Sequence, residues 1–248
     1  MSPASARPDG RAAHELRAVR LVTDFVENPL ASVLAEFGRT RVLCTVSEEA
    51  SVPRWMSGRG RGWVTAEYSM LPGATAERSA REAASGRPSG RTQEIQRLIG
   101  RSLRAVADLS ALGERTLWVD CDVLQADGGT RCASISGAWL ALALAARRLE
   151  RRGALSRPLL RDSVAAVSAG VVDGEVRLDL AYAEDARAAV DMNVVATGSG
   201  RFVELQGTGE ESSFSQQELD ALTSLALAGI AEIGRIQQRA LAQADASR

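Results

Sequence analysis

One segment near the middle of the chain, Thr116–Arg152, constrains the fold most, because it joins a strand, a turn and a helix in direct succession. It opens with alternating apolar and polar residues, which is typical of a strand with one buried face. It closes with an Ala/Leu-rich run long enough for a helix of about five turns. Between them lies the glycine turn, Asp127-Gly128-Gly129-Thr130-Arg131, which brings a guanidinium to the start of the helix.

The glycine turn has the features of an anion-binding site. Unpaired backbone N–H groups and the positive end of the helix dipole attract anions at a helix start. Arg131 works against that dipole unless an anion lies between them. The alternative is an ordinary turn in which Thr130 or Ser134 caps the helix. Neither GxxxxGK[ST] nor GxGxxG occurs here, so the segment alone leaves a phosphate site and a structural turn equally open.

The distribution of charge is more informative than its sum. The formal net charge is −1, which gives no general attraction for nucleic acid, yet all 30 positive charges are arginines and no lysine occurs. Genomic composition bias is the simpler explanation of that usage. A planar guanidinium nevertheless suits phosphate recognition better than the point charge of an ammonium group.

Cysteine and histidine usage excludes several kinds of site. The three cysteines form no CxxC pair, and the single His14 rules out histidine-based metal sites and His-dependent triads. The N-terminal MSPASARPDGR lacks the apolar core of a signal peptide. The apolar run Gly137–Ala146 is too short to span a bilayer. We therefore expect a cytoplasmic protein without a membrane association.

Hydrophobic periodicity predicts strands followed by a long helix, twice along the chain. The predicted strands outside Thr116–Arg152 are Glu15–Phe25, Ser32–Phe37, Thr40–Ser47, Trp63–Met70, Val164–Val172, Glu175–Tyr182, Ala189–Thr197 and Arg201–Gln206. Further helices are predicted at Arg91–Leu109 and at Ser215–Leu241, where Ser215 and Glu218 form a capping box. We expect an α+β fold with one domain, residues 11–241, made of two similar halves between a flexible leader (1–10) and a flexible tail (242–248).

A second arginine occupies the start of the first long helix. In Ser89-Gly90-Arg91-Thr92 a glycine again precedes an arginine, where a carboxylate would suit the helix dipole better. Two such arginines could hold one phosphate bidentately if the fold brings the two helix starts together. The alternative is that each arginine pairs with a nearby acid such as Glu94 or Asp127.

Three aspartates lie on and between consecutive predicted strands of the second half. Asp179 falls within Glu175–Tyr182, Asp185 in the turn after it, and Asp191 on the next strand. Clustered carboxylates hold Mg²⁺ through one or two oxygens and waters, and one of them can act as an acid. Acidic surface hairpins are common, so the pattern alone favours a structural role.

Arginines and tryptophans share two loops of the first half. The arginines are Arg54, Arg59, Arg61, Arg78, Arg81 and Arg87, interleaved with Trp55 and Trp63. Arginine with aromatic residues can grip single-stranded RNA by phosphate contacts and base stacking, which makes Arg59 and Arg61 candidates for RNA binding. A solvated loop face is the alternative.

Several long runs closely resemble the bacterial ribonuclease PH family over nearly the whole chain. They are RPDGR near the start, GWVTAEYSMLP at 62–72, SGRTQEIQRLIGRSLRA at 89–105, DCDVLQADGGTRCASISGA at 120–138, and VDMNVV with TGSGRFVELQGTGEE at 190–211. The resemblance implies a phosphate-dependent 3′→5′ exoribonuclease that trims tRNA precursors. It also implies a pseudo-duplicated α+β unit similar to the second domain of ribosomal protein S5, and a hexamer built as a ring of dimers.

The resemblance also implies roles for individual residues. Arg91 matches the phosphate-binding arginine of the family, and Gly129-Thr130-Arg131 matches its second phosphate-binding loop. Asp185 and Asp191 match the acidic pair that is linked to Mg²⁺ and to catalysis. Inorganic phosphate is the implied co-substrate.

The same resemblance implies a tRNA-contacting loop that includes Arg78 and Arg81. Relatives usually read MLPRAT where this chain has Met70–Thr75 with Gly73 in place of the arginine. One missing phosphate contact is expected to weaken RNA binding without affecting the chemistry. Two other functions stay open at this point: a hydrolytic two-metal nuclease, and a non-catalytic RNA-binding ring subunit.

Overall fold

The first half of the chain forms a five-stranded mixed sheet. In the computed structural model, which describes residues 7–210 and 213–246 apart from the side chains of residues 83 and 85, the strand order is β1-β2-β3-β5-β4. These strands are β1 (Val19–Thr23), β2 (Ala31–Phe37), β3 (Thr40–Glu49), β4 (Trp63–Met70) and β5 (Thr116–Gln125). β4 pairs with β5 in parallel, so the chain needs a crossover between them, which helix α1 (Gly90–Ala105) supplies.

The second half forms a four-stranded antiparallel sheet and its helices. The strand order is β7-β6-β8-β9. The elements are β6 (Val164–Val172), β7 (Glu175–Leu178), the one-turn helix α3 (Tyr182–Asp185), β8 (Val190–Thr197), β9 (Phe202–Gly209) and helix α4 (Gln216–Ala246).

Helix α2 (Thr130–Arg151) lies between the two sheets. It packs against β2 and β3 of the first sheet and against β6 of the second. Its run from Cys132 to Ala146 is buried on every face, which explains why that run is apolar without a polar stripe. One continuous apolar cluster includes residues of both sheets and of α1, α2 and α4, so the fold is α+β with a shared core.

Most of the predicted elements are confirmed with small changes at their ends. The predicted strand Glu175–Tyr182 is wrong beyond Leu178, because Asp179 adopts a left-handed φ of 52° and the chain then turns into α3. The predicted strand Glu15–Phe25 shortens to β1. The capping box of α4 is confirmed: the Ser215 and Glu218 backbone N–H groups each donate to the other residue's side chain.

The chain ends differ from the predicted leader and tail. In the described part of the leader, Arg7 is buried and ion-pairs with Glu184 at 2.8 Å. Helix α4 continues to Ala246, so residues 242–246 of the predicted tail are helical. Residues 1–6 and 247–248 lie outside the described residues. No helix in the described part of the chain combines the length and apolar character needed to cross a membrane.

Candidate active site

The glycine turn begins helix α2 without a side-chain cap from any described residue. Gly129 takes a left-handed φ of 66° at the N-cap position. The side chains that could have capped the helix bond elsewhere: Thr130 shares a hydrogen bond of 2.9 Å with the Tyr68 hydroxyl, and the Ser134 hydroxyl donates to the Thr130 carbonyl at 2.8 Å. The start of α2 therefore keeps N–H groups and positive potential for an anion.

The glycine turn also contacts the segment that leads into α3. A Cβ on Gly128 would lie 2.7 Å from the Leu180 carbonyl oxygen and 2.8 Å from the Tyr182 nitrogen. The Tyr182 N–H donates to the Asp127 carbonyl at 3.2 Å. Only glycine permits this approach, since its φ is also positive at 76°. The contact brings the two halves of the chain together at one place.

Asp185, at the end of α3, and Asp191, on β8, are both carboxyl groups with raised pKa values. The pKa of Asp191 is raised to about 6, mainly by burial and then by the charge of Asp185, against the opposing charge of Arg131. Burial also raises the pKa of Asp185, while Arg91, Arg131 and Arg17 lower it. A carboxyl with a pKa near neutrality is suited to proton transfer.

One oxygen of Asp191 lacks a partner. Its Oδ1 atom is buried and accepts no hydrogen bond from any residue in 7–210 or 213–246, whereas Oδ2 accepts from the Asn193 amide at 3.5 Å. A buried carboxylate oxygen without a partner carries a large desolvation cost. A proton, a cation or a substrate group at Oδ1 would remove that cost.

Arg131 lies between the two halves of the chain. Its Nη1 donates to Oε1 of Gln206 on β9 at 2.7 Å, and its Nη2 lies 3.5 Å from Glu94 of α1. The alternative interpretation, in which each arginine pairs with a nearby acid, therefore holds for Arg131 and Glu94. Asp127 instead lies 4.0 Å from Arg39.

Arg91 is exposed at the start of α1, where Ser89 caps the helix through the Thr92 N–H. It forms no ion pair with any described residue. Burial raises the pKa values of Asp185, Asp191 and the Tyr68 phenol. The positive charges of Arg91 and Arg131 oppose that rise at all three groups. The charges of the two predicted phosphate arginines therefore act on both predicted acids.

The third predicted aspartate does not join this site. Asp179 is buried and accepts hydrogen bonds from Arg17 at 2.7 and 3.0 Å through both carboxylate oxygens. The negative charge of Asp179 is balanced by the buried ion pair with Arg17.

Sequence reasoning missed two groups that face the site. Tyr68 lies on β4, is buried, and has a pKa raised by burial. In the sequence, Tyr68 could have been noticed because it places a hydroxyl group on the same buried face of the strand as Val64 and Ala66. Glu210 follows β9, and its charge raises the pKa values of both Asp185 and Asp191. No sequence pattern indicates a role for Glu210, because its effect on the two pKa values depends on the pairing of β9 with β8.

Among the described residues, only one of the two arginine loops borders this site. Arg81 lines a cavity of about 390 Å³ together with Tyr68 and Arg91, while Arg78 is exposed on the same loop. Arg59 and Arg61 are exposed just before β4.

The loop with Arg59 and Arg61 lies at the far end of β4 from Tyr68. Trp63, which starts β4, stacks edge-on with Trp55 and lies under the Arg104 guanidinium at 4.4 Å. Tyr68 lies five positions after Trp63 along the strand, which corresponds to roughly 17 Å. The structure therefore brings Arg81 to the site and leaves Arg59 and Arg61 apart from it.

Two regions of the chain match the two domains of one protein family. Residues 15–147 match domain 1 of the 3′ exoribonuclease family, and residues 162–229 match domain 2. The chain belongs to the ribonuclease PH family of 3′ exoribonucleases. The gap between the two matches contains the end of α2 and the connection to β6, so the family's two domains are the two halves described here.

Individual relatives match over nearly the whole length. Ribonuclease PH of Saccharopolyspora erythraea is 59% identical over 238 residues, which cover 96% of this chain and 95% of the relative. Ribonuclease PH of Corynebacterium kroppenstedtii is 59% identical over 237 residues, covering 96% and 93%. The chain is a phosphorolytic 3′→5′ exoribonuclease.

Solved structures share the fold at low sequence identity. Rice Rrp46 aligns with a TM-score of 0.76 at 19% identity, covering 95% of this chain and all of that one. A chain of the Archaeoglobus fulgidus exosome with RNA bound to the active site aligns with a TM-score of 0.76 at 21% identity, covering 93% and 92%. The ribonuclease PH fold, with its two halves, is therefore established for this chain.

Proposed function

We propose that this chain trims the 3′ ends of tRNA precursors, using inorganic phosphate bound between Arg91 and the Gly129–Arg131 part of the glycine turn. The observation that carries the proposal is that two arginines from two helix starts act on the same carboxyl pair, Asp185 and Asp191. An arginine suits a helix start only when an anion balances it.

Phosphate at this place would receive three kinds of contact. The backbone N–H groups at the start of α2 and the Thr130 hydroxyl supply hydrogen bonds, and Arg91 and Arg131 supply charge. Arg91 has no competing partner among the described residues, whereas Arg131 must leave Glu94 in part. We expect both arginines to lower the KM for phosphate.

Asp185 and Asp191 are the candidate magnesium ligands, and the buried Oδ1 of Asp191 accepts no hydrogen bond within the described residues. No group of three or more potential metal-ligating side chains occurs within residues 7–210 and 213–246. Mg²⁺ commonly uses only one or two carboxylates, with waters and substrate phosphates completing its shell. Mg²⁺ bound there would offset the negative charge of the reacting phosphates.

The proposed reaction exchanges one bond to phosphorus for a similar one. A phosphate oxygen attacks the phosphorus of the terminal phosphodiester, and the bond from that phosphorus to the 3′ oxygen of the shortened RNA breaks. Asp191 gives its proton to that 3′ oxygen when Mg²⁺ is held by Asp185 and the substrate phosphates, because the raised pKa of Asp191 then keeps a share of its carboxyl protonated near neutral pH. The product is a nucleoside diphosphate, and catalysis rests mainly on positioning and electrostatics.

RNA contacts are proposed for the arginine loops. Arg78 and Arg81 would contact the backbone close to the site, because Arg81 borders the cavity next to Arg91. Arg59 and Arg61 would contact RNA farther from the 3′ end, beside the exposed Trp55. Phosphate contacts and base stacking of this kind bind RNA with little sequence preference.

A homohexamer built from dimers is proposed for the assembled enzyme. The resemblance to ribonuclease PH supports it, and a chain of an archaeal exosome core shares the fold with a TM-score of 0.72. We also propose a cytoplasmic location, because the proposed substrate is formed there.

A phosphate titration tests the proposed function. RNA with a short 3′ extension is incubated with the enzyme and Mg²⁺ at several phosphate concentrations, and nucleoside diphosphates are measured. We expect degradation to depend on phosphate and to yield diphosphates. Undiminished degradation without phosphate, with monophosphate products, would instead identify a hydrolytic two-metal nuclease. No cleavage at any phosphate concentration would identify a non-catalytic RNA-binding subunit.

A further inference from the structure

We propose that Arg17 is a positioning residue for phosphate: it holds the glycine turn against the second half of the chain so that the N–H groups of α2 face the bound anion. The inference rests on the proposed phosphate site. Arg17 lies just before β1 and belongs to none of the groups that would touch phosphate or RNA.

Arg17 is held rigidly by Asp179. Its backbone N–H donates to Oδ2 of Asp179 at 2.8 Å, its Nε to the same oxygen at 3.0 Å, and its Nη2 to Oδ1 at 2.7 Å. Both side chains are buried. The two hydrogen bonds from Nε and Nη2 to the Asp179 carboxylate fix the plane of the guanidinium. The direction of its remaining N–H groups is therefore also fixed.

Those remaining N–H groups point at the glycine turn. Nη1 donates to the Asp127 carbonyl at 2.6 Å, and the same carbonyl accepts the Tyr182 N–H at 3.2 Å. Nη1 and Nη2 lie 3.5 and 3.4 Å from the Gly128 carbonyl oxygen. A Cβ on Gly129 would lie 3.0 Å from Nη2, so the guanidinium fills the space directly below the helix start.

Thr40 supports the same turn from the first sheet. Its hydroxyl donates to the Gly128 carbonyl at 2.7 Å and accepts the Asp127 N–H at 2.9 Å. Arg17 and Thr40 thus fix successive peptide groups immediately before α2. Groups that orient the atoms in contact with a ligand affect its affinity without touching it.

This position also gives a role to the buried positive charge of Arg17, which takes no part in the proposed reaction. Arg17 is buried, so it is a positioning residue and not a catalytic one. Lysine at this position would keep the positive charge beside Asp179 but could not serve Asp179 and two carbonyl groups at once, because it lacks the planar fork. Loss of the fork would let the turn relax and misdirect its N–H groups.

The test is the phosphate KM of the full-length Arg17→Lys enzyme at saturating RNA, with Arg20→Lys as the matched control. Arg20 lies three residues away, and its exposed side chain pairs with Glu36 on the neighbouring strand. We expect Arg17→Lys to raise the phosphate KM by about 5- to 30-fold, the effect of one or two lost hydrogen bonds, with kcat at saturating phosphate nearly unchanged. Arg20→Lys should leave both values unchanged.

Thr40→Val gives a second measurement that keeps the Arg17–Asp179 pair intact. We expect it to raise the phosphate KM by about 2- to 10-fold. A thermal melt of each variant checks folding, and if Arg17→Lys does not fold, Thr40→Val decides the question. Unchanged phosphate KM values in folded variants, with only a lower Tm, would overturn the proposal. A wild-type enzyme that degrades RNA without phosphate would overturn the proposed function instead, so the two failures are distinguishable.

Discussion

Nη2 of Arg131 lies 3.5 Å from a carboxylate oxygen of Glu94, which places a negative charge where the attacking phosphate is proposed to bind. The Glu94 side chain is about two-fifths exposed, so the pair is partly screened by water. The carboxylate therefore acts as a weak internal competitor for the arginine.

Glu94→Gln is expected to lower the phosphate KM, because the charge that competes for Arg131 is removed. A partly exposed ion pair of this kind contributes about 0.2–1 kcal/mol, which corresponds to a change of up to about 5-fold. Steady-state kinetics with phosphate as the varied substrate measures it. A higher KM would show that Glu94 orients Arg131 instead of competing for it.

Arg91→Ala is expected to raise the phosphate KM by about 10- to 100-fold, as befits the loss of a hydrogen bond between charged groups. Arg97→Ala is the matched control, since Arg97 is exposed on the same helix nearly two turns later. Phosphate titrations of both variants give the comparison. Equal effects of the two substitutions would contradict a specific role for Arg91.

Asp191→Asn is expected to lower kcat by at least about 100-fold through loss of the proton donor. It should also stabilise the protein in metal-free buffer above pH 6. The folded-state pKa of Asp191 is raised to about 6 by burial, so ionisation costs free energy in the folded state that it does not cost in the unfolded chain.

The pH dependence of that stabilisation follows from the sign of the pKa change. Below pH 4 the carboxyl is protonated in both states and Asn brings no gain. The gain grows between about pH 4 and 6 and is constant above, at about 1–3 kcal/mol. Urea unfolding at pH 5 and pH 7.5 measures it, and a variant less stable than wild type at pH 7.5 would refute the expectation.

Gly128→Ala is expected to destabilise the protein through a clash with the segment before α3. The new Cβ would lie 2.7 Å from the Leu180 carbonyl oxygen. Gly174→Ala is a close control, because Gly174 has the same φ of 76° and a Cβ added there would meet no described atom within 4 Å. Gly174→Ala should cost about 1 kcal/mol from φ alone, and Gly128→Ala about 1–3 kcal/mol more. Thermal melts of both variants measure the difference, and equal losses would exclude the close approach as its cause.

Gly73→Arg is expected to strengthen binding of precursor tRNA. A Cβ added at Gly73 meets no described atom within 4 Å, so the arginine that the resemblance to ribonuclease PH implies at this position can be introduced without strain. One added phosphate contact should steepen the dependence of log K on log salt by about 0.7–0.9. Filter binding at several salt concentrations measures the slope, with unchanged phosphate KM as the internal control. An unchanged slope would mean that this position does not contact RNA.

Local pattern was enough to predict most of the elements. The strand before Gly128 and the helix after Gly129 follow from residues next to one another in the chain, and the capping box of α4 follows from Ser215 and Glu218. Steric and hydrogen-bonding preferences over a few residues determine such features. The end of β7 was missed because Asp179 takes its left-handed conformation while bonded to Arg17, 162 residues away.

Sequence motifs alone were enough to predict Arg91 and Arg131 as phosphate-binding residues and Asp185 and Asp191 as the acids, because those motifs are specific enough to indicate the family. The pairing and burial of those residues could not be read from the motifs and depend on the folded chain. In the fold, Asp179 forms an ion pair with Arg17, and the Tyr68 hydroxyl shares a hydrogen bond with Thr130. Oδ1 of Asp191 has no hydrogen-bond partner among the described residues. The physical reason is that burial and pairing set the charge state of a carboxyl, and both depend on contacts between segments far apart in the chain.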